Sequence, residues 1–205
     1  MASKKKSARI GKIVATPAEA PVRELKAFYH GQPTDEFTWA RFYWPGGEMP
    51  RESIVHHFWR KRHPAGAESV VDTAAKVEVL LRGEIGEDYT DPDFLVRSFE
   101  EKLPVEETAA FAQVTMRFLN ATNLHGPWHR ATSWLRSHYV DPLGVPVVAI
   151  LHAPHLAGSD APVHVHGLIL MRRLSPFSWL GMQRDLASDG AVRTAQASWQ
   201  QHKSK

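Results

Sequence analysis

Two apolar runs separated by a short Pro- and Gly-containing stretch constrain this chain most. Val145–Leu151 ends directly at His152, and Ala149–Arg173 continues as AILHAPHLAGSDAPVHVHGLILMRR. Successive side chains of a strand point to opposite faces, so His164 and His166 share one face with Val165 on the other. If the two runs pair as an antiparallel hairpin, His152 or His155 completes a three-histidine cluster. Three nitrogen ligands leave coordination positions open, which is the arrangement of a catalytic metal and not of a closed structural one. The plain alternative is that these histidines line a solvated sheet face and bind nothing. All-imidazole coordination suits zinc, copper, iron, nickel and manganese better than calcium. A cupin-like oxygenase also uses two histidines one residue apart but needs a carboxylate soon after. Here Gly167–Arg172 supplies none, and the next acid is Asp185. Arg172 and Arg173 instead place positive charge at the strand's end, which suits a phosphate-bearing substrate.

The 205 residues suit one domain, and a 43% hydrophobic content is ample for its core. Residues 1–12 read as a basic, disordered arm and residues 13–205 as a single domain. The arm's lysines Lys4, Lys5 and Lys6 are candidates for phosphate-backbone contact. With no cysteine, disulfides and thiolate metal sites are excluded. No apolar run approaches the roughly 18 residues of a membrane span, and no apolar core follows the N-terminal lysines. The expected location is the cytoplasm, with no membrane partner.

Hydrophobic spacing and breakers predict a strand over Ser7–Ala15, a turn at Pro17–Pro21 and a helix over Pro21–Tyr29. They predict a strand over Phe37–Trp44 and helices over Glu48–Lys61, Glu68–Leu81 and Asp91–Glu101. Val105–Thr122 reads as a long amphipathic helix. Trp128–Tyr139 fits helix or strand, Phe177–Leu186 a short amphipathic piece, and Ala191–Gln201 a terminal helix. Strands mixed with helices, with the two best strands adjacent, imply an α+β fold around a central antiparallel sheet flanked by helices. The seven tryptophans read mainly as core, although those beside basic residues, such as Trp59 and Trp128, could stack on unpaired bases.

The spacing His152-x11-His164-x-His166 resembles the metal motif of HUH endonucleases, and within them that of the MobA/MobL (MobQ-type) plasmid relaxases. "LHAPH…HVHGLIL" followed by Arg172 and Arg173 is similar to that family's "IHAPH…HAHILLTTR". The upstream LPVEETAAFAQVTMRFLN and GVPVVAILHAPH are similar to its run into the same motif. The resemblance extends over Leu103–Arg173. It implies a relaxase-like α+β domain with a ferredoxin- or RRM-like core. It implies metal-dependent, site-specific nicking of single-stranded DNA at an origin of transfer, in plasmid mobilisation or conjugation, alongside accessory relaxosome proteins. A tyrosine would attack the phosphodiester and remain joined to the 5′ phosphate. His152, His164 and His166 would hold a divalent ion, Mg²⁺ or Mn²⁺, with Zn²⁺ as an alternative. KAFYHGQPTDEF is similar to the family's nucleophile context, which makes Tyr29 the expected catalytic residue and Tyr43 the second choice. His30, Asp35 and Glu36 lie beside Tyr29 in sequence. The alternative expectation is a relaxase-like DNA-binding protein without nuclease activity.

Overall fold

A computed structural model describes residues 22–64, 73–83 and 85–204. The expected first strand, the turn after it, the basic arm and Lys4–Lys6 lie outside the described residues. The fold is α+β: a six-stranded, fully antiparallel sheet flanked by helices. Its strands are β1 (Lys26–His30), β2 (Phe37–Tyr43), β3 (Lys76–Leu80), β4 (Ala109–Phe118), β5 (Val147–His152) and β6 (Val163–Ile169), in the order β1-β2-β4-β6-β5-β3. A two-stranded ribbon, β7 (Arg172–Leu174) with β8 (Trp179–Met182), follows at the end of β6.

Helices α1 (Ile54–Arg62) and α2 (Pro92–Glu101) cover one face of the sheet. Ile54, Phe58, Leu95 and Phe99 pack there against Phe42, Phe111, Ile150 and Leu168. Helix α3 (His125–Leu135) runs on through a π-helical turn, Arg136–Val140, and the short α4 (Asp141–Leu143). Gly144 closes it at φ +66°, a left-handed conformation that glycine adopts without penalty. Together with α5 (Asp189–Lys203), these helices cover the second face through Trp134, Leu135, Ala195 and Trp199. Six of the seven tryptophans are buried, so they serve as core. Among the described residues no helix is long and apolar enough to cross a membrane.

Several expected helices are strands. The segment expected as a helix over Val105–Thr122 is β4, the central strand. Both its faces are covered, and its first stretch, residues 109–112, is apolar on both sides and carries no alternation of hydrophobicity. Lys26–His30, expected within a helix, is edge strand β1, whose aromatic Phe28 and Tyr29 suit a half-covered pleated surface. The described part of Glu68–Leu81 contains edge strand β3, where Val77 and Val79 alternate with Glu78. Phe177–Leu186 divides into β8 and a 3-10 turn, Arg184–Ala187. Helix α1 begins only at Ile54, after Pro50.

Candidate metal centre

The hairpin of β5 and β6 forms as its sequence suggests, and His152 stands directly opposite His164. His166 follows two residues along the same face, beside Thr115 of β4. The three imidazole centroids lie 4.8–5.0 Å apart, and one nitrogen from each lies within 4.8 Å of the others. His155 instead stands exposed on the 3-10 turn Pro154–Ala157, outside this group.

Hydrogen bonds choose which nitrogen each ring offers. His152 Nε2–H donates to the Lys61 carbonyl at 2.7 Å, and His164 Nδ1–H donates to the Pro162 carbonyl at 2.9 Å. A carbonyl can only accept, so these bonds fix both tautomers. The remaining nitrogens, His152 Nδ1 and His164 Nε2, then face each other with lone pairs only 3.1 Å apart. Such a contact needs a shared cation. Burial lowers the His152 pKa to about 4, lowers that of His164 and holds that of His166 well below the usual value. The rings are therefore neutral near pH 7, and a metal ion suits the gap better than a proton.

His166 is held by a second layer of polar side chains. Its Nδ1 lies 2.8 Å from Thr115 Oγ1 and 3.4 Å from Gln113 Nε2. Donation from Nδ1–H to the threonine oxygen leaves Nε2 as the ligand nitrogen. Gln113 Oε1 in turn accepts from His57 Nε2 of α1 at 3.3 Å. Burial lowers the His57 pKa to about 4, which keeps that ring neutral where it packs against the stacked rings of Phe42 and Phe111. Partners of this kind fix ring orientation and ligand basicity at metal sites.

Two cations face the cluster. Lys61 lies one helical turn after His57 on α1, and its charge is felt by all three histidines. Burial lowers its pKa. Arg117 stands opposite His164 across the β4–β6 ladder and is anchored to the Asp35 carbonyl at 2.9 Å and to Thr38 Oγ1 at 3.3 Å. Among the described residues neither cation is ion-paired to a carboxylate. Asp35 offsets part of the Arg117 charge. Two cations beside three neutral imidazoles would suit an anion bound next to a metal. Neither residue was singled out from sequence. The polar–apolar alternation Gln113-Val114-Thr115-Met116-Arg117 is the signal that could have found Arg117, Thr115 and Gln113.

The other expected site residues lie elsewhere. Tyr29 shares the histidine face but sits on edge strand β1, three strand spacings or roughly 14 Å from β6. It is 61% exposed, and its ring meets Phe42 edge-on at 6.3 Å. Tyr43 ends β2 on the opposite face, next to Phe42. Tyr139 is buried, which pushes its phenol pKa up. Arg172 and Arg173 lie beyond the far end of β6. The Arg172 side chain is engaged there by the Leu180 carbonyl at 2.8 Å and by the Lys102 carbonyl.

No family model matches the chain, and no curated protein matches it significantly. A solved structure concerned with the molecular basis of vancomycin resistance transfer in Staphylococcus aureus superposes with a TM-score of 0.53. Identity is 14%, over 64% of this chain and 68% of that one. The likeness is one of fold.

Proposed function

We propose that this chain is a relaxase-type domain that nicks and transfers one strand of DNA, as in plasmid mobilisation or conjugation. The observation that carries the proposal is the neutral three-histidine cluster with its facing lone pairs, flanked by the cations Lys61 and Arg117. The motif resemblance to MobA/MobL relaxases and the fold likeness to a protein of resistance transfer support the same reading. His152, His164 and His166 would hold Mg²⁺ or Mn²⁺. Such an ion supplies Lewis-acid polarisation of a phosphate and a template for its orientation. Lys61 and Arg117 would grip the phosphate oxygens, Arg117 from a position set by Asp35 and Thr38. Single-stranded DNA is the proposed partner, with the Lys4–Lys6 arm and Arg172–Arg173 as further backbone contacts.

Tyr29 is the proposed nucleophile. Its oxygen would bond to phosphorus as the P–O3′ bond breaks. The phenol would lose its proton, the 3′ oxygen would gain one, and the 5′ phosphate would stay on the protein. Loss of that proton at neutral pH needs a cation beside the developing phenolate. The roughly 14 Å between β1 and β6 requires Tyr29 to leave its place against Phe42 before it attacks a phosphate at the cluster. That separation favours a second reading, a relaxase-like domain that grips single-stranded DNA without cutting it. The two are separated by incubating the protein and Mn²⁺ with single-stranded oligonucleotides tiling the DNA around its gene, followed by a denaturing gel. A protein–DNA band that disappears with Tyr29→Phe and with chelator is expected for the nickase. Metal-dependent binding with no covalent band in either protein establishes the second reading.

A further inference from the structure

Beside the histidine cluster, on the side of the 3-10 turn, opens a hollow of about 480 Å³. His152 and His164 form one wall. Pro64, Ala75, Pro154 and Leu156 contribute apolar surface, and Ala157 and Ala161 keep it open by their small size. Leu156 stands at the rim, 71% exposed, and nothing in the core explains so large an apolar side chain there. The turn is held in shape by Ser159 N–H donating to the Pro154 carbonyl at 3.1 Å and by Ala161 N–H donating to Ser159 Oγ at 3.3 Å.

We propose that this hollow receives the base of the nucleotide whose phosphate sits at the histidine cluster. The inference rests on the DNA reading of that cluster and assigns it a nucleoside subsite. Three features favour a base over other occupants. The hollow shares two of its walls' residues with the metal ligands, so a ligand spanning both must carry an anion and an apolar group a few bonds apart. The cations Lys61 and Arg117 demand the anion. Apart from Thr73, Ser159 and the two histidines the lining is apolar, which suits the flat face of a base better than the hydroxyl-rich rim of a sugar. Contact with a base face tolerates any sequence, because every base has one.

The test compares the affinity of the protein, with Mn²⁺, for a (dT)20 oligonucleotide and for a 20-mer of the same charge built entirely of abasic sugar phosphates. The same pair is then measured with the double variant Ala157→Leu/Ala161→Leu, which fills the hollow with aliphatic volume. Both alanines are exposed, so the core is untouched. Leu156→Ser provides an independent variant at the rim. Base contacts of this type correspond to a preference of about tenfold for (dT)20 in the unaltered protein. The filled variant should lose most of that preference while binding the abasic strand unchanged, and Leu156→Ser should reduce the preference in part. Equal effects of the filled variant on both strands, or no effect on either, overturn the subsite and leave the DNA reading standing. Failure of both strands to bind at low salt overturns the DNA reading and the subsite with it.

Discussion

The two faces of the central hairpin and its neighbour β4 are built from alternate residues of the same strands, yet they do opposite things. On the α3–α5 face, Val114, Met116, Val165 and Ile169 pack with Trp134, Leu135 and Trp199 into dry core. On the α1–α2 face, the intervening residues Gln113, Thr115, Arg117, His164 and His166 form a polar strip at one end of an otherwise apolar surface. The period of two in a strand lets one segment carry structure and chemistry at once, with each set of residues insulated from the other by the sheet. Gly167 marks the boundary. A Cβ there would meet Leu135 Cδ2 at 2.6 Å and Val114 Cγ2 at 3.0 Å, so α3 rests directly on the backbone that carries the histidines on its other side.

If the faces are independent, substitutions on each should change one property and spare the other. The largest effect belongs to the packed face. Gly167→Ala should cost about 1–3 kcal/mol through overpacking, seen as a fall of several degrees in Tm. The Mn²⁺ affinity of the folded variant should be close to that of the parent. The polar face should answer in the opposite way. Thr115→Val removes the hydrogen-bond acceptor of His166 Nδ1 and should weaken Mn²⁺ binding about 10- to 100-fold in calorimetric titration, with a smaller change in Tm. A variant at one face that moves both readouts equally would break the comparison.

The smallest effect concerns pH. His57 and His152 have folded pKa values lowered to about 4 by burial, against 6.5 when unfolded. Between those values the unfolded chain binds more protons, so stability is fully present above pH 6.5 and is lost as pH falls towards 4. The metal-free protein should therefore show a Tm that is level above pH 6.5 and declines below it. His57→Phe, which leaves the cluster's ligands in place, should flatten part of that decline.

The histidine hairpin was legible because its information is local. Two apolar runs, a short connection and a one-residue spacing are enough to place His152 opposite His164. Strand β4 was harder, since a central strand covered on both faces reads as a continuous apolar run that fits a helix equally well. Only its final stretch, from Gln113 to Arg117, alternates cleanly. Edge strand β1 owes its conformation to pairing with β2, a non-local fact, and as a strand it holds Tyr29 at the sheet's edge, three strands from β6. Lys61 was illegible for a similar reason. It reaches the site because α1 crosses β4 and β6, placing His57 over Gln113 and Lys61 over the histidines.

The measurement that tests the central claim most directly is a calorimetric titration of Mn²⁺ into the purified protein, alone and with a single-stranded oligonucleotide. One ion per chain is predicted. Binding should be lost in His164→Ala/His166→Ala at unchanged fold, and the oligonucleotide's affinity should fall when the ion is chelated. No Mn²⁺, Mg²⁺ or Zn²⁺ binding by the folded protein, or DNA affinity indifferent to both chelation and loss of the histidines, would contradict it.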